Sequence, residues 1–347
     1  MNISSLDKNF KIETTIEKED IKFYDVKESP FVYYGLIREN DAYCRMPMSV
    51  AETVSKGVAG LSRSTAGGRV RFRTSSPYIA IHSVMGSMAT MPHCARTGMA
   101  GFDLYIGDRY FKSFIPPREA TVGYESLIEI GEGEVRDITI NFPTYSTVRE
   151  LYIGLQDGSK IEPPTPYAIE KPVVFYGSSI TQGGCSSRPG TAYQCFVSRR
   201  FDCDFINLGF SGNAKGEDTM AEYIRDLPMS LFVYDYDHNA PTTEHLRNTH
   251  ERMFRIIREG NPELPIIMLS RPKHYLNEEE KERLEIIKQT YKNALERGDK
   301  NVYLIDGAGL TELCGNEGTV DGCHQTDFGF ASMGKAVGDL IEKYGIL

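Results

Sequence analysis

Five short apolar runs, each followed by a stretch of helical periodicity, constrain the second half of this chain more than any other feature. The runs are Val173–Tyr176, Phe205–Leu208, Leu231–Tyr234, Ile266–Leu269 and Val302–Ile305. Between them, Ala192–Phe201, Asp218–Arg225, Glu244–Glu259 and Glu278–Arg297 repeat apolar residues at helical spacing, and a last such segment covers Asp327–Tyr344. Strand-length runs without polar alternation are buried on both faces, and strands alternating with helices give a parallel sheet covered by helices. The expectation is a three-layer α/β/α domain over residues 161–347.

The first half has a different texture. Arg69–Thr74, Tyr78–Val84, Phe102–Ile106 and Val135–Phe142 alternate apolar and polar residues, the pattern of strands with one buried face. Gly67-Gly68 and Gly131-Glu132-Gly133 supply turn residues between them. Several short alternating strands predict a β-sandwich or jelly roll over residues 1–160. The polar, Pro-rich stretch Gln156–Pro166 reads as the linker.

Composition excludes some classes of function. Apolar content of 40% and charged content of 25% are those of a soluble globular protein. A net charge of -9 argues against a nucleic-acid groove or an anionic membrane surface as partner. No run is apolar for long enough to span a bilayer, and Met1–Lys8 lacks the apolar core of a signal peptide. The 7 cysteines are odd in number and contain no C-x-x-C pair, which predicts free thiols in a reducing cytoplasm. A mature chain stripped of a leader stays open.

Four motifs carry the chemistry. Gly177-Ser178-Ser179-Ile180-Thr181, Ser211-Gly212-Asn213 and Asp237-His238-Asn239 each follow a predicted strand, and Asp321-Gly322-Cys323-His324 lies on the loop beyond the last one. Successive parallel strands end at one rim, where α/β sheets bind ligands. Ser179 would be the nucleophile, although Thr181 stands where the G-x-S-x-G elbow has its last glycine. His324 would be its base, oriented by Asp321. The backbone N–H groups of Ser179 and Gly212 and the Asn239 amide would hold an oxyanion. Each motif also has an ordinary structural reading: a loop serine, a turn glycine, an asparagine capping a helix, a solvated Asp and His ahead of the N-cap Thr326. Their order along one sheet edge is what favours chemistry.

On these residues the second half resembles the SGNH (GDSL-type) serine hydrolases. Ser179, Gly212, Asn239 and the pair Asp321 and His324 match the family's four blocks in order. Gly101-Phe102-Asp103-Leu104-Tyr105 is similar to the G-x-D-L-Y tag of the branch with a β-rich N-terminal domain. Ser178 replaces the usual Asp before the nucleophile, and the third block reads Asp-His-Asn rather than G-x-N-D. The resemblance implies a flavodoxin-like hydrolase domain, no cofactor and a carbohydrate acetylesterase activity with an oligosaccharide or other small ester as substrate. A lipid or thioester hydrolase and a non-catalytic carbohydrate-binding protein are the rivals. His238 is a rival base. Arg96, His238, Arg271 and His274 are expected to line the substrate cleft, and the segment His93–Met99, which also reads as an ordinary β–β loop, could reach across to the rim and shape the pocket. Asp235, Asp237 and His238 do not form a recognised ligand pattern, so no metal is expected. The β-rich domain could also serve as a homo-oligomer surface.

Overall fold

A computed structural model describes residues 14–347; the leader reading of Met1–Lys8 lies outside the described residues. The alternating segments of the first half form two antiparallel sheets that close over one core. One sheet runs β1 (Ile21–Asp25), β11 (Thr147–Gln156), β6 (Tyr78–Ser87), β9 (Gly123–Glu129). The other runs β12 (Ile161–Glu162), β5 (Arg69–Thr74), β10 (Arg136–Asn141), β7 (Phe102–Ile106), β8 (Arg109–Phe114), with β2 (Val32–Tyr34) also paired to β5. β3 (Ile37–Glu39) and β4 (Ala42–Cys44) make a separate hairpin. Val70, Phe72, Leu104, Ile138 and Ile140 from one sheet meet Ile79, Ile81, Leu151 and Ile153 from the other in a single apolar cluster. That is a sandwich packed by every second residue of each strand.

The five apolar runs form a fully parallel sheet in the order β14 (Cys203–Gly209), β13 (Ile169–Gly177), β15 (Leu231–Asp235), β16 (Ile266–Leu269), β17 (Val302–Ile305). This is the 2-1-3-4-5 flavodoxin-like order, with its switch point between β13 and β15. Alternate residues serve opposite faces. Val174, Tyr176, Phe232, Tyr234 and Met268 pack with α6 (Asp218–Arg225), α7 (Thr243–Gly260) and α8 (Glu278–Glu296). Val173, Phe175, Val233, Ile267 and Leu269 pack with α5 (Tyr193–Phe201) and α10 (Asp327–Tyr344), while α3 (Arg96–Met99) and α9 (Gly307–Leu310) are single turns. Two-sided burial explains why these runs lack alternation. Helix starts follow local chemistry: Asn277 and Glu280 form a capping box on α8, and Thr326 caps α10 through Gly329 N. Among the described residues no helix is long and apolar enough to cross a membrane.

Chain order and packing disagree in two places. Ile161 and Glu162, just past the boundary expected after residue 160, pair with β5 of the sandwich. The expected linker is also well anchored: Thr165 donates through N and Oγ1 to Asp137 at 2.9 and 2.8 Å. More consequential is the helical pair α1 (Met48–Val54) and α2 (Lys56–Ser62). Met46, Ala51 and Val58 belong to the same cluster as Leu208, Phe210 and Phe232, so this piece of the first half builds the parallel-sheet core. Arg45, 2% exposed, fixes it there. Its guanidinium donates to the carbonyls of Asn207, Gly209 and Leu61 and lies 4.6 Å from the Phe210 ring centroid.

Candidate active site

The rim of the parallel sheet is shaped by glycines that let backbones touch. A Cβ on Gly177 would lie 2.4 Å from the Asp235 carbonyl oxygen, so only glycine lets β13 end so close to β15. Ser178 N donates to that carbonyl at 3.0 Å, and Ser178 Oγ accepts from Ile180 N at 3.2 Å. The serine that replaces the usual Asp is therefore the N-cap of α4 (Ser179–Gln182). Ser179 is the first residue of this short helix, where a backbone N–H has no partner within the helix. Gly183, at φ +98°, ends it.

Ser179 Oγ lies 2.9 Å from His324 Nε2, and His324 Nδ1 lies 2.7 Å from Asp321 Oδ2. Partial burial alone would raise the Asp321 carboxyl. Hydrogen bonds from the His324 ring and from the N–H groups of His324 and Cys323 outweigh it and bring it down to about 2. An ionised Asp321 can only accept, so Nδ1 carries the proton and Nε2 presents its lone pair to the Ser179 hydroxyl. Ser179 is 8% exposed. Serine, imidazole and carboxylate thus form one chain of donors and acceptors.

Gly212 adopts φ +69°, and a Cβ there would meet nothing within 4 Å, so its backbone borders open space. Asn239 Nδ2 donates one proton to Phe210 O at 2.9 Å, which fixes the amide and leaves its second N–H. Among the described residues neither Ser179 N nor Gly212 N has a protein acceptor. The turn carrying Gly212 is held from both sides: Ser211 N donates to Gln182 Oε1 at 3.0 Å, and Asn213 presses on Gly57 of α2, where any Cβ would clash.

The remaining predicted residues fare differently. His238 sits beside the dyad, with Nδ1 3.7 Å from Cys323 Sγ and Nε2 buried without a partner among the described residues. Burial, then the nearby Arg271 charge, lowers it to about 4, so it is neutral near pH 7 and a poorer base than its position suggests. It makes no bond to Ser179. Arg271 does not present itself as a ligand-binding cation. Its guanidinium donates to Asp237 through Nε and Nη2, both at 2.9 Å, and to Glu280 at 3.0 Å. Arg96 is likewise occupied, donating to the carbonyls of Pro117 and Ala120. A charged side chain on a loop near a site satisfies the nearest acceptors first. His274 is exposed, edge-on to Tyr275.

Asp235 and Asp237 offer no anionic pair. Burial, reinforced by Asp237, pushes the Asp235 carboxyl well up, and Asp237 is neutralised by Arg271 and Arg283. The segment His93–Met99 does reach the rim, where it meets two residues that sequence reasoning did not single out, Cys185 and Tyr145. His93 lies with its ring 5.5 Å from that of His324, Cys94 Sγ is 3.3 Å from Cys185 Sγ, and Tyr145 Oη is 2.9 Å from where a Gly184 Cβ would sit. His93, Cys94 and Tyr145 come from the β-rich half, so that half reaches the rim. No sequence spacing links them to Ser179. The G-x-D-L-Y tag reaches over too: Asp103, fully buried, accepts from Asn141 Nδ2 at 2.7 Å, Gly190 N at 2.8 Å and Arg188 Nη1 at 3.0 Å. A cavity of about 270 Å³ lined by Arg69, Arg71, Tyr105 and Tyr167 holds none of the rim residues.

Residues 170–342 match the model of the GDSL-like lipase/acylhydrolase family, and residues 21–161 match the model of the G-x-D-L-Y N-terminus of SGNH-hydrolase-type esterases. No curated protein matches in sequence. Among solved structures, a candidate GDSL-like lipase from Bacteroides ovatus is 28% identical, with a TM-score of 0.82 over 93% of this chain and 97% of its own. The salicylyl-acyltransferase SsfX3 of a tetracycline biosynthetic pathway is 18% identical, with a TM-score of 0.79 over 95% and 99%. A family two carbohydrate esterase from Clostridium thermocellum, in complex with cellohexaose, is 12% identical, with a TM-score of 0.62 over 91% and 100%. The last two likenesses are likenesses of fold.

Proposed function

The chain belongs to the SGNH-type esterases, a GDSL-like lipase/acylhydrolase domain behind a G-x-D-L-Y domain, and from that premise we propose that this ester hydrolase removes O-acyl groups, most simply O-acetyl, from oligosaccharides. The observation that carries the reading is the bonded chain Ser179 Oγ, His324, Asp321, at 2.9 and 2.7 Å, beside N–H groups with no acceptor of their own among the described residues. Carbohydrate esterases share the fold, and the polar, Tyr-bearing rim suits a sugar better than a long acyl chain.

In this mechanism Ser179 Oγ attacks the ester carbonyl as its proton passes to His324 Nε2. The oxyanion takes hydrogen bonds from Ser179 N, Gly212 N and Asn239 Nδ2. Each such donor is worth about 2.7–4 kcal/mol in the transition state. The imidazolium, stabilised by Asp321, protonates the leaving alkoxide and frees the sugar. Water then gives its proton to His324 as it attacks the acyl-enzyme, and the acid leaves as Ser179 recovers its proton. Residues 1–160 and 161–347, allowing for the helical pair that crosses over, are proposed as the two domains. Seven free thiols support a cytoplasmic setting.

Acetate release from a panel of acetylated plant oligosaccharides, alongside chromogenic esters of increasing chain length, tests the substrate. The reading predicts release from a sugar and a preference for acetyl. Turnover of long acyl or thioesters with no sugar deacetylated would keep the mechanism and overturn the substrate. Binding of sugar with no turnover of any ester would favour a non-catalytic role.

A further inference from the structure

His93, Cys185 and His324 each present one ligand atom within 4.8 Å of the others. Cys94 Sγ, 3.3 Å from Cys185 Sγ, is at hand as a fourth ligand. We propose that these side chains form a site for a thiophilic divalent cation such as Zn²⁺, and that its occupation shuts off the esterase.

Three physical arguments support the site. Imidazole and thiolate are the donor types that select zinc over magnesium or calcium. The four residues lie on three separate loops, after β6, after α4 and before α10, so they approach from different sides, as a tetrahedral site needs. A metal-bound histidine is ordinarily oriented by a carboxylate on its other nitrogen, and Asp321 already does this for His324 Nδ1 at 2.7 Å. That leaves Nε2 as the coordinating atom. Zinc bonds of about 2.0–2.3 Å put tetrahedral ligands roughly 3.3–3.8 Å apart, so closing the site takes side-chain shifts of about 1 Å. His93 is exposed and can make them.

Inhibition follows from the choice of atom. The Nε2 lone pair that would take the Ser179 proton is the one the cation would use. Metallation displaces the thiol proton to solvent and needs no oxidant. This inhibitory half rests on the esterase reading; the binding half does not.

The test uses the full chain, kept reduced by a non-chelating phosphine, with Zn²⁺ titrated by calorimetry and Co²⁺ by absorbance. Hydrolysis of a chromogenic acetate ester is followed in parallel. Wild type, Cys185→Ser and His93→Ala are compared. The proposal predicts one equivalent bound, a thiolate-to-cobalt charge-transfer band weakened in Cys185→Ser, where Cys94 alone supplies a thiolate, and inhibition reversed by a chelator. Both variants should keep basal turnover and need at least about tenfold more zinc for half-inhibition, since even an outer-shell partner is worth about 10–100-fold in metal affinity. Zinc sensitivity unchanged in both variants, or a cobalt spectrum without the thiolate band, would overturn the site. Tight binding that leaves turnover intact would overturn the inhibition. If no ester is hydrolysed at all, calorimetry and the cobalt spectrum still decide the site, and the failure belongs to the esterase reading.

Discussion

Asp103, the acid of the G-x-D-L-Y tag, ties the β-rich half to the loop that follows Ser179 and α4, and its removal should be costly. Oδ1 accepts from Asn141, and Oδ2 from Arg188 and Gly190 N, all in full burial. Burial raises its carboxyl despite these donors, so relative to water the buried ion contributes little net stability. Removing one side alone is different, because the donors stay behind unpaired. Truncating one partner of a buried pair costs about 3–5 kcal/mol. Arg188 keeps Tyr105 Oη at 2.5 Å and the Tyr110 ring at 3.7 Å, which places Asp103→Ala at the low end, about 3 kcal/mol. Asp103→Asn retains one oxygen for Arg188 and Gly190, and Asn141 can turn its amide to pair with the new one. It loses mainly the charge assistance, about 1–2 kcal/mol. Urea unfolding followed by fluorescence and far-UV dichroism measures both. A midpoint for Asp103→Ala indistinguishable from wild type, or equal losses for Ala and Asn, would refute the reasoning.

Three further outcomes are expected. Asn239→Ala should lower kcat about 10²–10³-fold with little change in KM, because its free N–H would act only on the developing oxyanion; an equal rise in KM would place it in ground-state binding. Arg271→Ala should destabilise by about 3 kcal/mol, the low end for a buried pair because Arg283 stays on Asp237 and Lys273 on Glu280, and should leave the KM of the folded fraction near wild type; a large KM rise without destabilisation would restore it as a substrate contact. Burial holds His238 down to about 4 and His250 to about 3, against 6.5 when exposed. The unfolded chain therefore binds protons first, and stability should fall as pH drops from 6.5 towards 4, by about 1.4 kcal/mol per pH unit for each histidine. His250→Gln should reduce that slope by one proton in urea unfolding at several pH values, and an unchanged slope would contradict it.

The parallel sheet was legible because its strands are covered on both faces, so Val173–Tyr176 and its four counterparts appear as uninterrupted apolar runs. The first half was harder. β8 has four exposed residues in succession and little alternation to detect, and α1 and α2 are seven residues each, too short for periodicity to declare itself. Their packing onto the parallel sheet depends on Arg45 reaching the distant carbonyls of Asn207 and Gly209, which no local pattern encodes. At the rim, strand order alone brings Ser179, Gly212 and Asn239 together, and the motif Asp321-x-x-His324 carries its own spacing. That the segment His93–Met99 could reach the rim was open to sequence reading, but its meeting there with Cys185 and Tyr145 was not, because these come from loops distant from it in the chain. Where a guanidinium points is also not written locally: Arg96 and Arg271 turn to nearby carbonyls and carboxylates.

The role of Ser179 as nucleophile is tested most directly by trapping its intermediate. Wild type and Ser179→Ala are acid-quenched during turnover of a chromogenic acetate ester, and the intact chain and its peptides are weighed. The account predicts one added acetyl group on the peptide containing Ser179 in the wild type, and neither acetyl nor turnover in the variant. Turnover that persists in Ser179→Ala, or an acetyl group carried by another residue, would contradict it.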